Sequence, residues 1–385
     1  MDRIYLDYAA TTPIDPAVLI AMHAAEKEFY GNASSIHALG QLSRNKIETA
    51  RRIIASSIGA KPQEIVFTSG GTESNNLALM GSIFANKSKG NHIITTTIEH
   101  PSILEPCKAL IQKNIDIDYI AVNEEGKIDL NQLKKLLRPE TILVSVMMVN
   151  NETGCILPIE DIGEILKNKA IIFHTDATQA YGKIDISVDE LNVDLVTLSA
   201  HKIYGPKGIG CLYIRQGINI ENILFGGSQE GGRRPGTENI VSILGFSEAV
   251  EQLVVQRHKR QSVGDLRDKF ESELKSRLPH IQINGSESPR VFSHSNIYFP
   301  FITGETMLMK LDLLGIAVST GSACSSGSPN PSHVLTAMNF EQKRTDNSVR
   351  FSFGRFTTES EIENVIDAID NINQQEISRT IRSDV

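Results

Sequence analysis

An α/β fold is predicted, with a mostly parallel sheet covered by helices on both faces and a smaller α+β domain beside it. Two observations carry this. From about residue 62, short β-branched runs alternate with helical segments, and after about residue 238 the pattern changes to long amphipathic helices.

The alternation can be followed in order. Strand-like stretches at 65–67, 92–96, 117–122, 142–149 and 171–174 are separated by helical stretches at 73–85, 103–113, 130–137 and 159–166. The run Ile142-Leu143-Val144-Ser145-Val146-Met147-Met148-Val149 is apolar almost throughout, as expected of a strand buried on both faces. In such a sheet, ligands gather at the C-terminal ends of the strands. Further on, Leu266, Phe270, Leu274 and Leu278 recur every fourth position and predict an amphipathic helix. Strands are expected at 295–299 and 349–353, and a last helix from Thr358, where Glu361 three residues later makes a capping-box pattern. The expected division is a large domain over 16–258 and a small domain made of 1–15 and 259–385.

Composition narrows the function classes. The 385 residues are enough for two domains, and 40% hydrophobic with 22% charged residues is ordinary for a globular protein. A formal net charge of −8 argues against a nucleic-acid surface, which wants clustered Lys and Arg. Cys107, Cys155, Cys211 and Cys324 form no C-x-x-C pair, which argues against a structural metal site or a disulfide framework and for a reducing interior. No apolar stretch is long enough to span a bilayer, and the N-terminus runs into Ile4-Tyr5-Leu6-Asp7-Tyr8 without a signal pattern, so a soluble cytoplasmic protein is expected.

The run from Thr197 to Gly210 passes from a strand pattern into Ser199-Ala200-His201-Lys202 and a glycine-rich turn. That junction suits a reactive amine: Ser199 and His201 supply donors for a phosphate, and the glycines let backbone approach a ligand. Thr68-Ser69-Gly70-Gly71-Thr72-Glu73 follows a strand and opens a helix, so its amides face an anion, although such a turn is as readily a plain connection. Asp176 ends a buried strand, where it could hold a ring nitrogen protonated or act as an ordinary cap. A reactive lysine, a phosphate cradle and an acidic partner for a pyridinium are together what pyridoxal 5'-phosphate requires of a protein.

Longer motifs extend this over nearly the whole chain: Tyr5-Leu6-Asp7-Tyr8-Ala9-Ala10-Thr11-Thr12-Pro13, Gly71-Thr72-Glu73-Ser74, Glu99-His100, Val149-Asn150-Asn151-Glu152-Thr153-Gly154, Arg234-Pro235-Gly236-Thr237 and Ser319-Thr320-Gly321-Ser322-Ala323-Cys324. With them the sequence resembles the cysteine desulfurases of the NifS/IscS type, within the fold-type I pyridoxal-phosphate enzymes. The resemblance implies a seven-stranded sheet in the large domain. It implies Lys202 as the Schiff-base lysine, Asp176 as partner of the pyridinium nitrogen, Gln179 at the ring hydroxyl, Asn151 near ring and substrate, and His100 stacked on the cofactor face. Gly71, Thr72, Ser199 and His201 correspond to phosphate-binding positions. Thr237 corresponds to one that reaches the phosphate from the other subunit, so a homodimer is implied. Arg350 corresponds to the arginine that pairs with the substrate carboxylate, with Arg355 the less favoured candidate.

Cys324 lies among glycines, serines and prolines that predict an exposed, mobile loop, whereas Cys107, Cys155 and Cys211 read as buried small hydrophobes. An exposed thiol can ionise and attack the sulfur of bound L-cysteine, leaving a persulfide on the enzyme and L-alanine as product. The persulfide would serve an acceptor protein, either a scaffold of iron–sulfur cluster assembly or a tRNA-thiolation enzyme. Three departures from the family pattern stand out: Ala200 where glycine is common, Ser228 and Gly231 in the 226–232 segment, and a C-terminus at Val385 without a longer tail. A selenocysteine lyase, an aminotransferase or another fold-type I activity is the alternative, and would not need Cys324 in the same way. A non-catalytic sulfur-transfer scaffold is less favoured, since it has no need to keep Lys202, Asp176 and His100 together.

Overall fold

The computed structural model describes residues 3–321 and 331–383. Its largest sheet has seven strands: β2 (Ile65–Thr68), β3 (His92–Thr96), β4 (Asp116–Ile120), β5 (Thr141–Ser145), β6 (Ile172–Asp176), β7 (Leu195–Ser199) and β8 (Gly210–Ile214). They lie in the order β2-β8-β7-β6-β5-β3-β4. All neighbours are parallel except β8, which runs antiparallel to both β2 and β7. Strands β3, β5, β6, β7 and β8 are buried along their whole length, which is why their sequences show no polar–apolar alternation. Two apolar cores sandwich the sheet, one including Ile54, Val144 and Phe246, the other including Leu77, Ile103 and Leu143.

The helices between these strands are α3 (Gly71–Asn86), α4 (Pro101–Ile111), α5 (Leu130–Leu136) and α6 (Ile159–Leu166), with α1 (Pro16–Glu28) and α2 (Ala38–Ser56) ahead of them. Helix α7 (Ile240–Val255) packs on α1 and α2. Helix α8 (Lys259–Arg277) turns Phe270 and Leu274 inward, with Leu278 at its cap, as the fourfold spacing predicts. They enter a third core with β10 (His294–Tyr298), α9 (Gly304–Leu313), β12 (Ser348–Ser352) and α12 (Glu359–Ser383), the short helices α10 (His333–Ala337) and α11 (Gln342–Asp346) preceding β12. A three-stranded antiparallel sheet, β12-β10-β9, includes β9 (Gln282–Ile283). The N-terminal β1 (Ile4–Tyr5) pairs in parallel with β11 (Ile316–Ala317), so the first residues join the C-terminal third of the chain. The predicted cap of α12 forms: Thr358 N–H donates to Glu361 Oε2 at 2.7 Å and Glu361 N–H to Thr358 Oγ1 at 3.3 Å.

One strand is shorter than its apolar run suggests. β5 ends at Ser145 instead of continuing to Val149. Beyond that point Met147 N–H donates to Glu99 Oε1 at 2.8 Å, taking up the amide a neighbouring strand would otherwise bind. The chain then folds into the Asn150–Gly154 turn, where Gly154 at φ 77° occupies the left-handed region. On the β6 side Val146 N–H and Met148 N–H still reach the His174 and Asp176 carbonyls at 3.1 and 3.0 Å, so the apolar run stays buried beside β6 while Glu99 takes the amide on the other side. No described helix is long and apolar enough to cross a membrane.

Candidate active site

The C-terminal ends of β6 and β7 and the N-terminus of α3 open onto one cleft of about 820 Å³, lined among others by Gly71, His100, Asn151, Asp176, Lys202 and Arg350. Lys202 closes a short 3-10 turn, Ala200–Lys202, directly after β7. Its Nζ donates to the carbonyls of Ala9 at 2.6 Å and Ala10 at 2.7 Å, so the N-terminal segment forms one wall. Thr12, by way of the His201 carbonyl at 3.0 Å and Tyr204 N–H at 2.8 Å, holds that segment against the lysine turn.

Asp176 is the last residue of β6 and is buried. Its Oδ1 accepts from Thr178 N–H at 2.9 Å, the local cap that aspartates commonly make. Its Oδ2 accepts from Asn75 Nδ2 at 2.7 Å. The same Asn75 nitrogen donates to Ser102 Oγ at 2.8 Å, and Ser102 Oγ lies 2.8 Å from His100 Nδ1. The expected ring partner and the expected stacking histidine are thus joined through two side chains. Sequence reading missed both Asn75 and Ser102; their signal is position, Asn75 one helical turn after Gly71 and Ser102 two residues after His100.

His100 caps α4: Ser102 N–H donates to its Nδ1 at 3.1 Å, which leaves the proton of the neutral ring on Nε2. Burial lowers its pKa, Asp176 pulls the other way, and the Lys202 and His333 charges lower it further. Behind it Glu99 is fully buried, and burial pushes its carboxyl up to about 8 against donation from Met147 N–H and Thr96 Oγ1.

At the other end of the cleft, Gly71 and Thr72 begin α3, and Gly70 precedes them at φ 149°. Two hydroxyls here, Ser199 Oγ and Thr178 Oγ1, are buried without a hydrogen-bond partner. A Cβ at position 71 would sit 3.1 Å from Thr178 Oγ1 and 3.8 Å from Ser199 Cβ, so glycine keeps this cradle open. His201 lies beside it, with Nδ1 3.2 Å from Thr11 Oγ1. Burial, with Lys202 and Lys207 adding to it, depresses its pKa to about 4. Two orphan hydroxyls at a helix N-terminus are what a phosphate group would satisfy. Asp176, in the same cleft, supplies the carboxylate that a protonated ring nitrogen needs. The residues present therefore fit pyridoxal 5'-phosphate, with Thr178 a cradle residue that sequence reading passed over.

The remaining expected residues are distributed as follows. Gln179 Nε2 donates to the Ala9 carbonyl at 2.9 Å, while its Oε1 accepts from Lys183 at 2.7 Å. Arg350, on β12, is 1% exposed; it donates to the Asn151 carbonyl at 3.0 Å and to Asp7 Oδ1 at 2.8 Å, and its Nε is buried without a partner. Arg355 is not in this cleft. It is paired with Asp15 and stacked on Tyr204 at 3.7 Å, and lines a separate cavity on the other side of Lys202. Thr237 is exposed in the connection from β8 to α7, outside its own chain's cleft. Cys107, Cys155 and Cys211 are buried free thiols, and Cys324 lies outside the described residues.

Comparison with known proteins identifies the family. The family model described as Aminotransferase class-V matches residues 4–365. A protein named cysteine desulfurase IscS from Dictyoglomus turgidum is 48% identical over 371 residues, covering 96% of this chain and 94% of the relative. Among solved structures, a NifS-like protein superposes with a TM-score of 0.90 at 37% identity, covering 96% of this chain and 99% of that one. SspA in complex with cysteine superposes at 0.82 with 35% identity, covering 92% and 100%. The chain thus belongs to the class-V aminotransferase family, in its cysteine desulfurase group, whose members work with pyridoxal 5'-phosphate.

Proposed function

We propose that this protein converts L-cysteine to L-alanine and leaves the sulfur on Cys324 as a persulfide, which it passes to an acceptor protein of iron–sulfur cluster assembly or tRNA thiolation. The observation that carries this reading is the convergence of Lys202, Asp176 and His100 on one cleft that also holds the orphan hydroxyls. When bound, pyridoxal 5'-phosphate supplies the electron sink for bond changes at the substrate carbons.

The chain's residues divide the remaining work. The Asp176 carboxylate, held by Asn75, keeps a proton on the ring nitrogen. Lys202 Nζ anchors the cofactor and then moves the substrate Cα proton. His100 and Gln179 line the cleft and would hold the cofactor, His100 at the ring face and Gln179, its amide held by Ala9 and Lys183, near the ring hydroxyl. Arg350, held by the Asn151 carbonyl and Asp7, would pair its guanidinium with the substrate carboxylate. In the sulfur step the Cys324 thiolate attacks the substrate sulfur. The carbon–sulfur bond breaks and a sulfur–sulfur bond forms; the electron pair, with a proton, ends on the substrate carbon. The carbon is reduced to alanine and the two sulfurs are oxidised to the persulfide level, so no outside oxidant enters.

A homodimer is part of the same proposal. Tyr30 (72% exposed), Ile36 (91%), Leu39 and Leu42 are exposed within one short stretch of the chain, and Phe225 is 90% exposed; we take these apolar side chains as dimer contacts. Thr237 would then serve the partner's cleft. Buried thiols without disulfides suit a cytoplasmic setting. We also take 16–258 as the large domain and 1–15 with 259–385 as the small one, in keeping with the β1–β11 pairing.

Single-turnover reaction with L-cysteine tests the reading. Lys202→Ala is expected to lose cofactor absorbance and alanine formation, and Cys324→Ser to keep the absorbance but accumulate no persulfide. Full alanine production by Lys202→Ala, or undiminished persulfide transfer by Cys324→Ser, overturns it.

A further inference from the structure

The described residues on either side of the Cys324 segment converge on one buried carboxyl. Glu152 is 1% exposed and follows Asn151 in the cleft wall. Its backbone is fixed, since Asn150 Oδ1 accepts from Glu152 N–H at 2.9 Å and from Thr153 N–H at 3.0 Å. On the far side of the segment, Ser332 Oγ donates to Glu152 Oε2 at 2.6 Å while accepting Leu335 N–H at 3.1 Å, so one hydroxyl both caps a helix and binds the carboxyl. On the near side, Gly321 lies so close that a Cβ there would fall 1.9 Å from Glu152 Oε2 and 2.6 Å from its Cδ. The φ of Gly321 is not positive, so the requirement for glycine is one of space alone.

Both sides are also tied to the cleft independently. Ser319 and Arg350 exchange backbone hydrogen bonds, Arg350 N–H to Ser319 O at 2.7 Å and Ser319 N–H to Arg350 O at 3.2 Å. His333 Nε2 donates to the Glu99 carbonyl at 2.9 Å. The flanks of the segment therefore rest on the backbone of Arg350, on the neighbour of His100 and on the neighbour of Asn151. A surface loop that served only as a connection would not bury a carboxyl between its two ends.

We propose that Glu152 is a positioning residue for the sulfur step: hydrogen-bonded to Ser332 and packed against Gly321, it holds together the described residues that flank the segment bearing Cys324. It touches neither substrate nor cofactor. The proposal rests on the reading of Cys324 as sulfur acceptor.

The test separates the two half-reactions with two substrates. L-cysteine needs the Cys324 thiolate, whereas L-cysteine sulfinate loses its sulfur as sulfur dioxide without a nucleophile. The variants, all as cofactor-loaded full-length protein, are Glu152→Ala, Glu152→Gln, Ser332→Ala and, as control, Cys324→Ser. Persulfide formation is read as sulfur retained on protein from ³⁵S-labelled cysteine in one turnover. We expect Glu152→Ala and Ser332→Ala to slow it at least tenfold while sulfinate turnover stays within twofold of wild type. Glu152→Gln keeps an acceptor for Ser332 and is expected to restore most of the rate. The proposal is overturned if Glu152→Ala and Ser332→Ala form persulfide at the wild-type rate, if both substrates slow together, or if Glu152→Gln is as impaired as Glu152→Ala. Persulfide transfer surviving in Cys324→Ser would instead overturn the underlying reading.

Discussion

Ser199→Ala should move apoprotein stability and cofactor affinity in opposite directions. Ser199 sits at the end of β7 with its side chain 1% exposed and its Oγ without a hydrogen-bond partner. An unsatisfied buried hydroxyl costs about 1–3 kcal/mol, and alanine removes it while giving up only one small atom's packing. The apoprotein variant should be at least as stable as wild type, by up to about 1 kcal/mol. With phosphate present, the same hydroxyl makes a hydrogen bond to a charged acceptor, worth roughly 1.5–3 kcal/mol. Its loss should weaken pyridoxal-phosphate binding by roughly 10- to 150-fold at about 1.4 kcal/mol per factor of ten. Urea unfolding of apoprotein gives the first quantity, provided the denaturant slope is unchanged, and titration of apoprotein with cofactor gives the second. An apoprotein destabilised by more than 1 kcal/mol with unchanged cofactor affinity would refute the reasoning, because Ser199 would then be a structural hydroxyl.

Three other outcomes follow from the geometry. Arg51 Nη1 and Nη2 each meet a Glu230 carboxylate oxygen at 2.7 Å, and Glu230 also accepts Phe67 N–H at 2.8 Å, so Arg51→Met should cost about 3–5 kcal/mol in thermal unfolding by stranding a buried charge. Burial depresses His174 from the ordinary 6.5 to about 4, against the pull of Asp176; the unfolded chain therefore takes up the proton first, and this contribution to stability is complete above pH 6.5 and lost as pH falls toward 4. That difference corresponds to roughly 3 kcal/mol, and urea midpoints compared at pH 7 and pH 4.5 should fall less steeply for His174→Gln than for wild type. For the homodimer proposed above, Phe225→Glu places a charge on a side chain 90% exposed in the single chain, and should shift the sedimentation coefficient to that of a monomer and weaken cofactor binding, as expected if Thr237 serves the other subunit's cleft.

Much of the site was legible because its parts are local. Lys202, Asp176 and the Gly71 turn each sit at a strand end, where a change from apolar run to polar or glycine-rich turn is visible in the sequence. Asn75, Ser102 and Thr178 were not legible, since their place is set by packing between separate elements: Asn75 reaches Asp176 across 101 positions and Ser102 across 27, while the Thr178 hydroxyl is left over opposite Gly71. Glu99 explains the strand that ended early, a side-chain acceptor taking Met147 N–H from 48 positions away.

The sequence by itself determined the order of strands and helices, the burial of the central sheet, the amphipathic face of α8 and the cap of α12. These depend on periodicity and nearest neighbours, which the chain carries at every point. Only the tertiary structure decided that Arg350 lines the cleft while Arg355 is consumed by Asp15 and Tyr204, that His100 and Asp176 share a hydrogen-bond chain, and that Glu152 joins the two flanks of the Cys324 segment. Those choices are made by long-range packing. It sets which carboxylate each of two buried cations meets, Asp7 for Arg350 in the wall of the cleft and Asp15 for Arg355 outside it.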